Sequence, residues 1–521
     1  MAFSLFGRIK PLDAILATAE KKALTRTLGP VQLTLLGVGA IIGTGIFVLT
    51  SEAAQKAGPG MMWSFVIAGL VCAVAALCYS ELASMVPVSG SAYTYTYAVM
   101  GELLAWMVGW ALILEYAVAA SAVSVGWSGY FVGLLANAGI DLPRALTIGS
   151  YAPGGLINLP ALVIALLVTL LLMIGTSESA KVNAVLVAIK VTALTIFIVL
   201  TLPMMKGQNF DPFMPNGWFG ESRGFGAVGA AASIFFAYVG FDAVSTAAEE
   251  TKNPQRNVPI GLIGSLGICT VFYLLVAAGA IGTVGAQPIV DAAGNVLAPG
   301  STEFAAQCQA LLSAGREPLV CSHEALAFVL RTIGHPAFGN MIGIAAFLAL
   351  PSVILIMLFG QTRIFFVMAR DGLLPEKLAT IHPKWKTPHI VTAITGVAVS
   401  VFAAFLPVGQ LADISNSGTL FAFLMVAVAV LILRRTDPGR HRPFRTPLVW
   451  IVAPLAIVGC LGLFYNLPYE AKMVLPIWGG IGLLLYFAYG YRKSHVGHGH
   501  IEVHESDPDA PPQPVPPISD Q

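Results

Sequence analysis

Charge is what this sequence has least of. Only 11% of its 521 residues are Asp, Glu, Lys or Arg and 56% are hydrophobic, where an average soluble protein carries about 25% charge. That excludes a soluble globular chain. Lys and Arg number 28 against 27 for Asp and Glu, so the near-neutral balance gives no footing for a nucleic-acid partner. The first thirty residues lack a continuous apolar core and a small-residue cleavage site but hold Arg8, Lys10, Lys21, Lys22 and Arg26, so no cleavable signal is expected. Cysteine is scarce. Cys72, Cys78, Cys269 and Cys460 lie in apolar runs and read as packing residues. Cys308 and Cys321 share a polar loop and could pair if it faces an oxidising compartment, although spacing does not supply the geometry. The apolar runs carry no metal-ligand cluster or nucleophile motif, so neither an enzyme nor a bound cofactor is expected.

What the sequence has is apolar length. A bilayer-spanning helix needs about 20 such residues, and twelve runs qualify: 31–53, 61–86, 101–135, 158–175, 182–203, 224–249, 257–285, 336–361, 389–407, 411–434, 447–467 and 472–491. An all-α polytopic membrane protein with 12 transmembrane helices is therefore expected. With the N-terminus inside, twenty of the 28 basic residues fall on the inner side, seven outside, and Lys190 within a run. This bias places both termini in the cytoplasm and the protein in the inner (plasma) membrane. The organisation expected is an amphipathic, membrane-lying segment over 1–30, a first set of five helices over 31–203 and a second over 224–434 with an external loop at 286–335. Two more helices follow at 447–491, then a disordered tail over 492–521 whose histidines at 495, 498, 500 and 504 are read as solvated.

Glycine is placed where a helix has least use for it. Gly37, Gly39, Gly43 and Gly45 crowd the middle of the first run, and Gly240 sits mid-run in the sixth, after Phe236, Ala237 and Val239. These glycines suit close helix packing. As a pair of breaks in corresponding runs, five apart, they also point to a transporter's substrate site between inverted repeats. A helix broken at mid-membrane exposes N–H groups at the start of its second half and carbonyls at the end of its first. The former attract a carboxylate and the latter an ammonium group. Two breaks side by side describe a pocket for a zwitterionic α-amino acid.

Ionisable residues inside the runs mark function by default, because a charge at a helix centre costs at least about 2.5 kcal/mol. Glu115 is one. Lys190 is the other; it would carry a proton or stand as a fixed cation in place of a sodium ion, unless it snorkels to the inner surface. Asp242, just past the second break, is expected to cap or position the second half of the sixth helix. Glu81 is either a supporting group or an interfacial charge with a Lys or Arg partner.

These residues carry a resemblance. Gly37 to Phe47, Tyr79-Ser-Glu-Leu-Ala83, Gly240-Phe-Asp-Ala243, Glu249-Glu-Thr-Lys-Asn-Pro254, Gln361-Thr-Arg-Ile364 and Met368-Ala-Arg-Asp-Gly-Leu-Leu-Pro375 resemble the amino acid-polyamine-organocation superfamily. The similarity runs over residues 1–495 and is to the bacterial form of the cationic amino acid transporter branch. It implies a five-plus-five inverted-repeat core with broken helices 1 and 6, two C-terminal helices, and secondary active transport by alternating access. It also implies carboxylate binding at Gly43, Thr44 and Gly45. The ammonium group would meet carbonyls near Ile41, Phe236, Ala237 and Val239, with Phe236 as a gate and Gly240 at the break. In proton-coupled members a helix-five lysine replaces a sodium site, and Lys190 matches it. Glu115 matches a helix-three carboxylate near the pocket.

The function expected is proton-coupled import of L-amino acids, small and neutral for choice. The run 347–359 holds Pro351, a kink site, and Met357 but no carboxylate for a distal cation. The alternatives are a cationic amino acid uniporter or exchanger and a non-transporting membrane sensor or scaffold. The partners expected are the amino acid and the lipid bilayer. The chain is read as monomeric, with any accessory subunit left open.

Overall fold

The computed structural model describes residues 8–12, 15, 28–86, 90–175, 180–221, 223–246, 251–385 and 387–499. Among them there are helices and no strand beyond three isolated bridges. In chain order these are α1 Pro30–Ile41, α2 Thr44–Phe47, α3 Leu49–Ala57, α4 Met61–Met85, α5 Ser91–Met100, α6 Glu102–Asn137, α7 Leu159–Ile174, α8 Ala180–Thr201 and α9 Gly226–Ile234. They continue as α10 Ala243–Thr246, α11 Pro254–Val284, α12 Thr302–Ser313, α13 Ala325–Thr332, α14 Pro336–Arg370, α15 His389–Phe405, α16 Val408–Thr436, α17 Val449–Asn466 and α18 Tyr469–Leu485. Each of the twelve apolar runs contains a helix. Eight helical stretches are long and apolar enough to cross a membrane, and Pro30–Ile41, Leu159–Ile174, Gly226–Tyr238 and His389–Phe405 are shorter apolar helices.

Local chemistry sets the ends. Pro30, Pro254 and Pro336 occupy first helical positions, where a missing N–H leaves no bond unmade. Asn158 caps α7 by accepting from Ala161 N at 3.2 Å, and Gly175 closes it in the left-handed region. α14 runs to Arg370, past the expected end at 361, because its polar residues find partners. Gln361 Nε2 donates to Ile113 O at 3.0 Å, and the Arg363 guanidinium lies 4.0 Å from the Phe359 ring centre. The helix is continuous through Pro351.

α6 is the hub, packed by α5, α7, α14, α15 and α16, while α1 lies against α8 and α11. Its apolar window is 83% buried, against 28% and 22% for the last two long helices. Those two therefore form the periphery, with Val458 and Leu484 facing outward.

Two polar clusters tie the ends down. Glu102 accepts from Arg8 Nη1 at 3.1 Å, from Tyr97 and Tyr486 hydroxyls at 2.8 Å each, and from Ser494 Oγ. Asp371 accepts from Lys10 Nζ at 2.9 Å and Tyr93 Oη at 2.8 Å. Burial works to raise the Asp371 carboxyl, yet Lys10 and Arg370 beside it hold it below the usual range. Within residues 492–499, counted with the expected tail, Ser494 is buried and His495 N donates to Asp371 O at 3.2 Å, while Arg492, Lys493 and residues 497–499 are exposed. Residues 500–521 and most of the amphipathic segment 1–30 lie outside the described residues; Leu12 and Ile15 are buried.

The loop 286–335 is ordered by α12, α13 and a disulfide between Cys308 and Cys321, whose Cα atoms are 5.6 Å apart. It docks on α3, where Gln55 donates to Ile289 O at 2.8 Å and Leu297 O at 2.9 Å and accepts from Ile289 N at 2.8 Å.

Candidate functional site: the paired helix breaks

Both glycine-bearing runs interrupt their helices. α1 ends at Ile41 and α2 begins at Thr44, with Gly43 before it. The first bond of α2 runs from Phe47 N to Gly43 O at 3.3 Å. The N–H groups of Thr44, Gly45 and Ile46 therefore have no acceptor within the helix. In the sixth run α9 tightens into a 3-10 turn, Phe235–Tyr238, and Val239 leaves it extended. Gly240 then takes φ +112° before α10, a conformation that only glycine adopts freely.

The breaks are pressed together. A methyl group on Gly45 would lie 2.3 Å from Ala237 Cα, and one on Gly240 would lie 3.0 Å from Ala40 O. Between them opens a pocket lined by Ala40, Ile41, Gly43, Thr44, Gly45, Val123, Phe236, Val239, Val353 and Met357. One wall is backbone from the two breaks. The other is apolar, from α6 and α14. Thr44 Oγ1 is buried without a hydrogen-bond partner. Gly126 makes its placement feasible: a methyl there would lie 2.6 Å from Thr44 Cγ2.

Six of the eight substrate residues expected from sequence thus line one pocket. Ala237 and Gly240 stand behind it, filling the contact with Gly45 and Ala40. Phe236 is buried on the pocket wall. Two of the expected carbonyls have a partner that sequence reasoning missed: Tyr273 Oη lies 2.8 Å from both Ile41 O and Ala237 O. Phe236 O accepts from Val239 N at 3.2 Å. Val123 and Val353 were also missed, since a valine in an apolar run carries no signal of its own.

The ionisable residues take distinct places. Lys190 is fully buried, and its Nζ donates to Gly39 O at 2.8 Å, at the end of the first half of the broken helix, so it does not snorkel. Glu115 is fully buried off the pocket wall. Its main-chain oxygen accepts from Ser415 Oγ at 3.2 Å, and neither carboxylate oxygen has a hydrogen-bond partner. Tyr116 Oη donates to Asp242 Oδ2 at 2.8 Å, which links α6 to the second break. Glu81 has the arginine partner that one of its two expected roles called for. It accepts from Arg434 Nε and Nη2 at 2.8 Å each and from Thr446 N at 2.8 Å, with Arg442 Nε 3.2 Å away, and so pins the C-terminal end of α4 to the end of α16.

Two mid-run helix breaks that meet at one pocket are the arrangement in which membrane transporters hold their substrates. A family model described as amino acid permease matches residues 28–486. Among similar proteins, the branched-chain amino acid permease BcaP of Bacillus subtilis (strain 168) is 44% identical over 95% of this chain and 99% of its own. The methylthioribose transporter of the same organism is 42% identical over 94% and 99%. The vacuolar cationic amino acid transporter 4 of Arabidopsis thaliana is 36% identical over 80% and 64%. The chain belongs to the amino acid permease family of the amino acid-polyamine-organocation superfamily. It is accordingly a multi-pass membrane transporter and not an enzyme.

Proposed function

We propose that this permease imports L-amino acids with small or branched neutral side chains by proton symport with alternating access. The observation that carries the proposal is the contact between the breaks: Gly43, Thr44 and Gly45, where the second part of the first broken helix begins, and Ile41, Phe236 and Val239, at the carbonyl ends, line a single pocket. A carboxylate suits the first and an ammonium group the second. Val123, Val353 and Met357 offer a side chain apolar surface and no charge, which disfavours a distal cation that would need a partner. The name of the Bacillus branched-chain permease agrees with such a pocket.

Proton coupling rests on Lys190. Its ammonium group occupies the carbonyl end of α1 and would repel a sodium ion there, so the proton is the coupling ion and no sodium site is expected. In this reading the twelve helices all span the membrane as two inverted sets of five plus two, with both termini cytoplasmic in the inner membrane and the chain working as a monomer. The Cys308–Cys321 disulfide supports an external 286–335 loop, since disulfides persist in oxidising compartments.

The test is uptake into liposomes holding the purified protein. Leucine or alanine should accumulate under an inward proton gradient without sodium. Uptake that needs sodium and ignores pH contradicts the proposal. A second reading, a cationic amino acid uniporter or exchanger, draws on the plant relatives and on the unpartnered Glu115 carboxylate. Under it arginine and lysine would compete strongly with labelled leucine.

A further inference from the structure

Two cations meet on one tyrosine ring at the turn between the last two long helices. Only Leu467 and Pro468 separate α17 from α18, and so short a connection between two spanning helices has to lie at a membrane surface. Tyr465, in the last turn of α17, is exposed there. The Arg223 guanidinium lies 4.2 Å from its ring centre, and Nη2 donates to its hydroxyl at 2.6 Å. Lys472, in the first turn of α18, donates from Nζ to Tyr465 O at 2.8 Å, with Nζ 5.4 Å from the same ring centre. Arg223 is exposed, whereas Lys472 is only 6% exposed.

A ring face attracts a cation, but two cations gathered at one ring repel each other. Among the described residues no carboxylate lies within ion-pair reach of either. Glu470, two positions before Lys472, instead accepts from Gln410 Nε2 at 3.3 Å. Both cations keep unused N–H donors, so the pair suits an oxyanion that offers several acceptor oxygens.

The surroundings favour a lipid over a soluble anion. Ile451, Leu455, Val458 and Leu461 are exposed at helical spacing along α17, and the stripe they form ends at Tyr465. An acyl chain lying on that stripe brings its phosphate to the ring. Trp218 and Phe219, in the loop that carries Arg223, are exposed with Tyr469, the aromatic setting of a headgroup layer. The loop is seated on the turn: Gly224 takes φ +92°, and a methyl on it would lie 3.1 Å from Pro468 Cγ. Arg223 therefore stands just ahead of α9, the first half of the broken sixth helix.

We propose that Arg223, Lys472 and Tyr465 bind the phosphodiester of an anionic phospholipid whose acyl chain lies along the outward stripe of α17. The headgroup completes the contact between the loop that starts α9 and the α17–α18 turn. An anionic lipid thus steadies one half of the sixth helix from outside the substrate pocket, and the site can be tested without any substrate.

The experiment follows the melting temperature of the purified protein in detergent micelles during titration with phosphatidylglycerol, phosphatidylcholine or glycerol 3-phosphate, since a ligand of the native state raises it. The variants are Arg223→Gln, the double variant Arg223→Gln/Lys472→Gln, and a control, Lys206→Gln/Arg316→Gln, which removes two exposed cations from other loops. Phosphatidylglycerol should stabilise the parent at lower concentration than phosphatidylcholine, and glycerol 3-phosphate should do nothing. The half-saturating phosphatidylglycerol concentration should rise about fivefold in Arg223→Gln and at least about tenfold in the double variant, with the control within about twofold of the parent. Equal action of the two lipids on the parent overturns the proposal. Stabilisation by glycerol 3-phosphate at the same concentration overturns it in favour of a soluble anion, and an equal shift in the control and the double variant overturns it in favour of diffuse charge. Should the double variant melt far below the parent without lipid, Arg223→Gln decides alone, because its side chain is exposed and its loss leaves the buried lysine in place.

Discussion

The two breaks use the same residue for different reasons. At the first, Gly43 has φ −145°, backbone open to any residue, and Gly45 is required by space, since the backbone of Ala237 stands where a side chain would begin. At the second, Gly240 is required by conformation, with φ +112°, and only then by the nearness of Ala40 O. The first break is short and resumes a helix at once, so it leaves the N–H groups of Thr44, Gly45 and Ile46 a few residues from the Ile41 carbonyl. The second unwinds through a 3-10 turn and offers carbonyls. On the proposed function, opposite polarity at the touching breaks is what would let a site with no charged side chain on its wall select a zwitterion.

That comparison can be broken by substitution, beginning with the largest expected effect. Gly45→Ala forces a methyl into Ala237 Cα, and overpacking of this kind costs about 1–3 kcal/mol. Leucine binding and uptake should fall at least about tenfold, read by binding and by liposome uptake. Lys190→Ala should abolish proton-driven accumulation while leaving counterflow, because it removes the ammonium group from Gly39 O and nothing from the pocket wall. Retained pH-driven accumulation would show that the proton travels elsewhere. Gly240→Ala should lower stability by about 1–3 kcal/mol through backbone strain, with a smaller loss of leucine affinity than Gly45→Ala, measured by thermal melting alongside binding. Gly43→Ala should do least. Its methyl would meet Val353 at 3.5 Å, ordinary contact, so the melting temperature should hold and only the larger substrates should lose affinity.

Much of this architecture was legible because helices in lipid must be long and apolar, and because a glycine cluster mid-run conflicts with that need. The packing alternative was also partly right. Gly37 and Gly39 sit outside the break, where a methyl would lie 2.4 Å from Ser265 Oγ and 2.7 Å from Val187 Cγ2. Partners distant in sequence were not legible. Glu81 and Arg434 are 353 positions apart, Tyr273 lies in an apolar run like other tyrosines, and Ser494 belongs to a tail whose composition gave no reason to expect burial. Such placements arise from tertiary packing, for which one sequence carries no periodic signal. Glu115 was legible as an intramembrane charge, but its position off the pocket wall was not.

The most direct test is substrate-induced thermal stabilisation of the purified protein across the twenty amino acids, together with N-acetyl-leucine and leucine methyl ester. A ligand that binds the native state raises its melting temperature by mass action. Free leucine, isoleucine, valine and alanine should stabilise the protein, while masking either the amine or the carboxylate removes the effect. Stabilisation by the masked leucines equal to that by leucine itself would contradict a site built from the two helix breaks.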